Sequence, residues 1–286
     1  MANLKEIRMR IVSVNSTMQI TSAMKMVYAA KLRRAQDAIT KMRPYAQKLQ
    51  EILSNVSSTE SNSTFSQQRD VKSTLVVAIT SNRGLCGGFN NNVIKEIRNI
   101  VKTNSNVHVL SLGKKAFDNY KKTSMHTSEG FGDTPYDIFD KLTFNNVSAI
   151  ANTIMDQFAS GKYDKVILVY NRFKNAAVQI IENEQFLPVL PPVNAEAQSS
   201  VDYIYEPEKN QILEELIPRS IKTHLYRSFL DSFASEHGAR MISMDKATDN
   251  AGEILKQLKL IYNRGRQAAI TNEISEIVGG AAALNG

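Results

Sequence analysis

Hydrophobic residues recur at alternating intervals of three and four positions at both ends of this chain, and this repeat constrains the fold more than any other feature. Counted from Leu4, the first stripe continues to Val56, and only Thr21 and Lys25 interrupt it. Such a stripe is stable in water only when another helix covers it. The first segment is therefore predicted to be one long, partnered helix, kinked or weakened at Pro44.

A second helical segment follows Pro207, and its clearest stripe runs from Leu230 to Ala269. Because the two striped segments lie at opposite ends of the chain, we expect them to pair as an antiparallel coiled coil. In the same frame, the next positions are the polar residues Asn272 and Glu276. These two residues, like Thr21 and Lys25 on the first helix, are expected to face a third surface that surrounds the pair.

The sequence between the two helices predicts a small Rossmann-like domain, so the fold class is α/β. Strand-like runs alternate with helical ones, which indicates a mainly parallel sheet. The predicted strands are Thr74–Thr80, Val107–Leu112, Lys165–Tyr170, Ala177–Ile181 and Asp202–Tyr205, and the predicted helices are Val93–Val101 and Asn146–Phe158. The predicted division is an N-terminal helix at 1–57, a polar linker at 58–72, the α/β domain at 73–205 and a C-terminal helix at 206–286.

The positive charge of the chain is concentrated in its first helix. The net charge is +7, and the basic excess lies within the first 58 residues. This helix could bind nucleic acid or an anionic surface. However, its cations are spread around the helix, and its only aromatic residues for base stacking are Tyr28 and Tyr45. A protein sleeve with acidic patches is therefore favoured over nucleic acid.

The glycine-rich loop Arg83–Phe89 follows a strand and precedes a helix, where phosphate-binding loops lie in other proteins. It matches neither the triphosphate nor the dinucleotide pattern. We interpret its glycines as conformational, while an anion at the helix N-terminus, or a nucleotide-binding enzyme, remains an alternative. Cys86, the only cysteine, is interpreted as a packing residue. We predict no catalytic residue, cofactor or metal site.

Several longer motifs carry a resemblance to a known family. They occur in the family's order and spacing, and they span essentially the whole chain. The sequence resembles the gamma-subunit family of bacterial F-type ATP synthases in QITSAMKMV (19–27), RGLCGGFN (83–90), YIYEP (203–207), SEHGARMISMDKATDNA (235–251) and YNRGRQAAITNEISEIVGGAAAL (262–284).

The resemblance implies a non-catalytic rotor, the central stalk. In this family the coiled coil enters a ring of alternating alpha and beta subunits, and the α/β domain contacts the epsilon subunit and the membrane ring of c subunits. The stalk transmits torque between the c ring and the catalytic ring, and regulates ATPase activity and proton flow. Membrane contact is indirect, through the c ring. Neither a signal core nor a transit peptide begins the chain, so we expect the cytoplasmic face of a bacterial plasma membrane.

The resemblance also implies contact residues. For any one of these residues, an alternative is that it holds the two helices in register. Tyr205 is the implied contact with the c ring or epsilon. The implied coupling contacts with beta subunits are Met24, Lys25, Arg240, Arg266, Gln267, Thr271 and Glu273.

Overall fold

A computed structural model describes five stretches of the chain, residues 4–56, 64–104, 106–132, 134–189 and 209–284. Within them lie five α-helices, five strands and one short 3-10 helix. The helices are α1 (Leu4–Val56), α2 (Phe89–Thr103), α3 (Lys114–Tyr120), α4 (Phe144–Ala159) and α5 (Lys209–Leu284). The strands are β1 (Thr74–Ile79), β2 (Val107–Leu112), β3 (His126–Thr127), β4 (Lys165–Phe173) and β5 (Gln179–Leu187), and the 3-10 helix is Pro135–Lys141.

The two terminal segments form long helices, as their heptad stripes predict. α1 is continuous through Pro44, and α5 is continuous through Pro218. Each proline lacks one amide donor, so each helix loses one hydrogen bond without ending. Packing helps to hold the helices there: the ring of Tyr45, next to Pro44, lies 5.7 Å from the guanidinium carbon of Arg219.

The sheet between the long helices is mainly parallel, with the strand order β3-β2-β1-β4-β5. β1 is central and pairs in parallel with β2 and with β4, so that Val76 lies beside both Val109 and Ile167. β5 is antiparallel to β4. The α/β fold class is therefore confirmed, and the predicted strand at Asp202–Tyr205 lies outside the described residues.

Side chains on both faces of the sheet are buried, which explains why its central strands are apolar without alternation. On one face, residues such as Leu75 and Val77 pack against α4 and the first half of α5. On the other, residues such as Val76 and Ala78 pack against α2 and α3. The result is a three-layer α/β arrangement in which α5 forms part of one layer.

The described chain separates into two compact units. The smaller comprises Met1–Tyr28 and Met241–Gly286, and the larger comprises Ala29–Arg240. α1 and α5 contribute to both units. The four-part division drawn from the sequence, at 1–57, 58–72, 73–205 and 206–286, stays a prediction.

In the smaller unit, α1 and α5 run antiparallel, as predicted. Positions that rise along α1 meet positions that fall along α5. The contacting pairs, in order along α1, are Leu4 with Gly265, Met18 with Gly252, Thr21 with Thr248, and Lys25 with Asp245.

Candidate functional site

The polar positions in the first seam face the second helix. Thr21 is buried, and its hydroxyl lies 2.8 Å from that of Thr248. Lys25 Nζ lies 2.5 Å from Asp245 Oδ1 in a half-exposed ion pair. The expectation that Thr21 faces a surrounding surface is therefore wrong, because it finds a matching hydroxyl in the seam. For Lys25, the ion pair with Asp245 supports the alternative that this residue holds the two helices in register.

The end of α5 extends past the start of α1. Gly265 lies against Leu4, the first described residue of α1. Every described residue from 270 to 283 is exposed, including Asn272 and Glu276. Of the predicted contact residues, Arg266, Gln267, Thr271 and Glu273 are all exposed in this region, and Met24 on α1 is 37% exposed.

This end segment also carries exposed apolar side chains. They are spaced three or four positions apart, which places them on one side of the helix, and no described helix covers them. They are Ile270, Ile274, Ile277 and Val278, with exposed fractions of 47 to 71%. A stripe of this kind, bordered by polar side chains, is typical of a surface that a protein partner covers.

Arg240 occupies a different environment from the other predicted contact residues. It is 2% exposed, and its guanidinium bonds to Glu236 and to backbone carbonyls of the loop at Arg83 and Gly84. Its polar end is enclosed by its own chain in this structure, and its contact with beta stays a prediction. Tyr205 lies outside the described residues.

The conformation and contacts of the glycine-rich loop Arg83–Phe89 are those of a structural loop. Gly87 has a φ of 58° and so adopts the left-handed conformation expected for a conformational glycine. The Cys86 side chain is buried, with Asn90 Nδ2 3.1 Å from its sulfur, and burial raises the pKa of its thiol. Cys86 is therefore a packing residue in this structure, as the sequence suggested.

Helix α3 begins close to this loop, and its first amides are satisfied by side chains of the chain itself. The Lys114 amide donates to Asn82 Oδ1 at 3.0 Å, and the Ala116 amide donates to Thr80 Oγ1 at 3.0 Å. Open amides are what a phosphate group requires at a helix N-terminus. Thr80 and Asn82, which follow β1, thus cap α3, which favours the structural interpretation of this edge of the sheet.

A cluster of ionisable residues joins α5 to the last two strands. His224 Nε2 lies 2.9 Å from Glu184 Oε1, and Tyr170 bonds to Glu184 and Ser228. Burial opposes ionisation of Glu184, but hydrogen bonding and charge from His224 outweigh it and lower the Glu184 pKa. Burial raises the pKa of Asp231 to about 6. These groups join α5 to the sheet, and nothing in their arrangement provides a nucleophile beside a base.

The described residues lack two further features. They contain no group of three or more His, Cys, Asp or Glu side chains placed to hold a metal ion. None of the helices in those stretches is both long and apolar enough to span a bilayer.

The sequence placed Thr248 in the stripe of the second helix, but it did not predict which residues of α5 pair with Thr21 and Lys25. Asp245 and Thr248 complete the polar contacts of Lys25 and Thr21. The available signal was the antiparallel register itself, which would have placed an acidic residue opposite the lysine.

Comparisons with known proteins agree with one another. The family model described as ATP synthase matches residues 3–284. The chain is 60% identical to the ATP synthase gamma chain of Flavobacterium johnsoniae and 58% identical to that of Flavobacterium psychrophilum, each over 100% of both chains.

Solved structures give similar results. A chain from the central stalk and c ring of the Tetrahymena thermophila mitochondrial ATP synthase is 29% identical, with a TM-score of 0.58 over 80% of this chain and 99% of that chain. A chain of the Euglena gracilis mitochondrial ATP synthase has a TM-score of 0.69 over 98% of this chain and 94% of that chain. At 20% identity, the second likeness shows the fold.

Proposed function

The chain belongs to the gamma-chain family of ATP synthases, and on that premise we propose that it is the central-stalk rotor subunit of a bacterial F-type enzyme. It is a non-catalytic subunit. The observation that carries the proposal furthest is the antiparallel pair of α1 and α5, together with the exposed apolar side chains at the end of α5, which no described residue covers.

The partners follow from this role. Alpha and beta subunits surround the helix pair, and the α/β domain contacts epsilon and the c ring. Proton flow turns the c ring and this subunit, and the rotation drives the catalytic sites on beta through their successive states; the subunit thereby also regulates ATPase activity and proton flow. Its location is the cytoplasmic face of the plasma membrane, where it touches the membrane only through the c ring.

The proposed coupling contacts lie in two places on the smaller unit. Met24 and Lys25 are on α1, and Arg266, Gln267, Thr271 and Glu273 are on the exposed end of α5. Exposed charged and amide groups of this kind can exchange hydrogen bonds and ion pairs with moving loops of beta. Tyr205, the proposed contact with the c ring or epsilon, rests on the resemblance alone.

Assembly with the other subunits tests the proposal directly. We would mix the full chain with purified alpha and beta subunits and measure the mass of any complex together with its ATP hydrolysis. We expect a complex that contains one copy of this chain and has activity that depends on it. A folded chain that stays alone and leaves hydrolysis unchanged would contradict the proposed function.

A charge reversal tests the contact residues separately. In Arg266→Glu, we expect coupled ATP synthesis to fall about tenfold or more, because a charge-assisted hydrogen bond is worth about 1.5–3 kcal/mol. The matched control is Lys102→Glu, which makes the same charge change at an exposed position on α2. Equal losses in both variants, or full synthesis in Arg266→Glu, would remove Arg266 from the contact surface.

A further inference from the structure

In the larger unit, Arg240 ties α5 to the loop that follows β1. Its Nε donates to the Gly84 carbonyl at 3.0 Å, and its Nη2 donates to the Arg83 carbonyl at 2.9 Å. Its Nη1 donates to Glu236 Oε1 at 2.6 Å, one turn earlier on α5. One planar group thus bonds to two consecutive loop carbonyls and to an acidic side chain of its own helix.

Only an arginine can make this set of bonds. Its guanidinium presents several N–H donors in a rigid plane, whereas a lysine offers a single, flexible ammonium group. Arg240 and Glu236 are 2% and 8% exposed. A buried charge pair is costly unless further hydrogen bonds satisfy it. The loop carbonyls supply such bonds, so the ion pair and the loop conformation depend on each other.

The loop needs such support because of its backbone. Leu85 has a φ of 63°, which is a left-handed conformation. For a residue other than glycine this conformation is unfavourable, so the surrounding structure must enforce it. Ser81, which follows β1, also donates its hydroxyl to the Arg83 carbonyl, at 2.6 Å. The loop is therefore held from β1 and from α5. In this conformation Leu85 is 65% exposed and Cys86 is 2% exposed.

We propose that Arg240 is a positioning residue that fixes the Arg83–Gly88 loop against α5, and so keeps Leu85 at the surface and Cys86 inside. Its role lies within this chain, and it goes beyond the proposed rotor function because it requires no partner subunit. The contacts of Arg240 with assembled beta subunits, which the resemblance implies, are then indirect and act through the loop.

Cys86 provides the reporter for this proposal. It is the only cysteine of the chain, so a thiol reagent such as DTNB reports on this position alone. Arg240→Lys keeps the positive charge beside Glu236 but cannot bond to both loop carbonyls. We expect it to accelerate labelling of Cys86 in the folded full chain by about tenfold or more, since local opening becomes easier. The matched control is Arg264→Lys, at an exposed position of the same helix, with an unchanged rate.

The pH dependence of labelling distinguishes loop release from general loosening. Burial raises the pKa of the Cys86 thiol in the wild-type chain. In Arg240→Lys the neighbouring charge remains, so release of the loop should lower that pKa towards its ordinary value. A variant with a lower Tm but wild-type labelling rate and thiol pKa would overturn the proposal. The proposal would also be overturned if Arg240→Lys abolished coupled ATP synthesis in the assembled enzyme while the labelling rate of Cys86 stayed unchanged.

A second variant covers the case in which Arg240→Lys does not fold, as judged by circular dichroism. Glu236→Gln keeps the shape of its side chain but removes the charge that orients the guanidinium. We expect Cys86 to be labelled faster in the folded Glu236→Gln chain than in the wild-type chain. A folded Glu236→Gln chain with the wild-type labelling rate would overturn the proposal.

Discussion

Replacing Lys25 separates its two assigned roles. Its ammonium group lies 2.5 Å from the Asp245 carboxylate, so it contributes to helix pairing. The proposed function also places Lys25 at the contact with beta. A contribution to pairing changes the stability of this chain, whereas a contact with beta changes the coupling of rotation to synthesis. The two effects are measured in different assays and differ in size.

The exposure of the pair sets the magnitude of the first effect. The side chains of Lys25 and Asp245 are 44% and 42% exposed. Ion pairs this open to water contribute about 0.2–1 kcal/mol. Salt weakens them, because the electrostatic screening length is only about 3 Å at 1 M ionic strength. We therefore expect Lys25→Ala to lower the free energy of unfolding by at most about 1 kcal/mol. A lost contact with beta should instead reduce synthesis about tenfold or more, the equivalent of about 1.4 kcal/mol or more.

The assay is a double-mutant cycle in two readouts. Lys25→Ala, Asp245→Ala and the double variant are unfolded in urea at low and high salt, and the same variants are tested for ATP synthesis in membrane vesicles. The swapped pair Lys25→Asp with Asp245→Lys is the control. It should regain stability but not synthesis, because beta still meets the wrong charge. Synthesis that returns with the swap refutes the contact with beta, and a coupling energy above about 2 kcal/mol at high salt refutes the exposure argument.

Two further predictions concern stability. Thr21→Val or Thr248→Val should each lower the free energy of unfolding by about 1 kcal/mol, because each leaves one hydroxyl of the 2.8 Å contact without its partner. The double variant should recover most of this loss, because two valines of similar shape then face each other. Strictly additive losses in denaturant unfolding would contradict this. The pKa of Asp231 is about 6 in the folded chain and about 4 in the unfolded chain, so between these pH values the folded state binds more protons at Asp231. The contribution of Asp231 to the free energy of unfolding should therefore fall by up to about 3 kcal/mol as the pH rises from about 4 to 6, so that the wild-type chain loses stability relative to Asp231→Asn over this range. The same pH dependence of unfolding in both chains would count against this prediction.

The sequence was informative wherever structure depends on local periodicity. The seam that begins at Leu4 and the stripe from Leu230 to Ala269 predicted both long helices and their antiparallel pairing, because heptad spacing alone requires a partner helix. Elements shorter than two helical turns were missed. α3 and the two-residue strand β3 are too short to show a period, and their positions depend on the sheet edge.

The candidate site was less predictable, because it depends on which distant residues meet. Nothing near Arg240 in the sequence indicates that its guanidinium bonds to the carbonyls of Arg83 and Gly84. Likewise, the polar interruption at Thr21 can mean either an exposed surface or a matched contact. Only the register, which places Thr248 opposite, distinguishes these two meanings. The sequence located the unusual positions, and the structure assigned their partners.

α5 changes character along its length in a way that suits the proposed rotor. In the larger unit it is held by buried side chains such as Leu225 and Phe229, and by Arg240. In the smaller unit burial decreases towards its end, and residues 270–283 are all exposed. Local stability follows buried contacts, so the helix should be most resistant to local opening beside the sheet and least resistant at its end. A subunit that carries torque needs the first property where its domain is attached, and its end can acquire stability from the subunits that cover it.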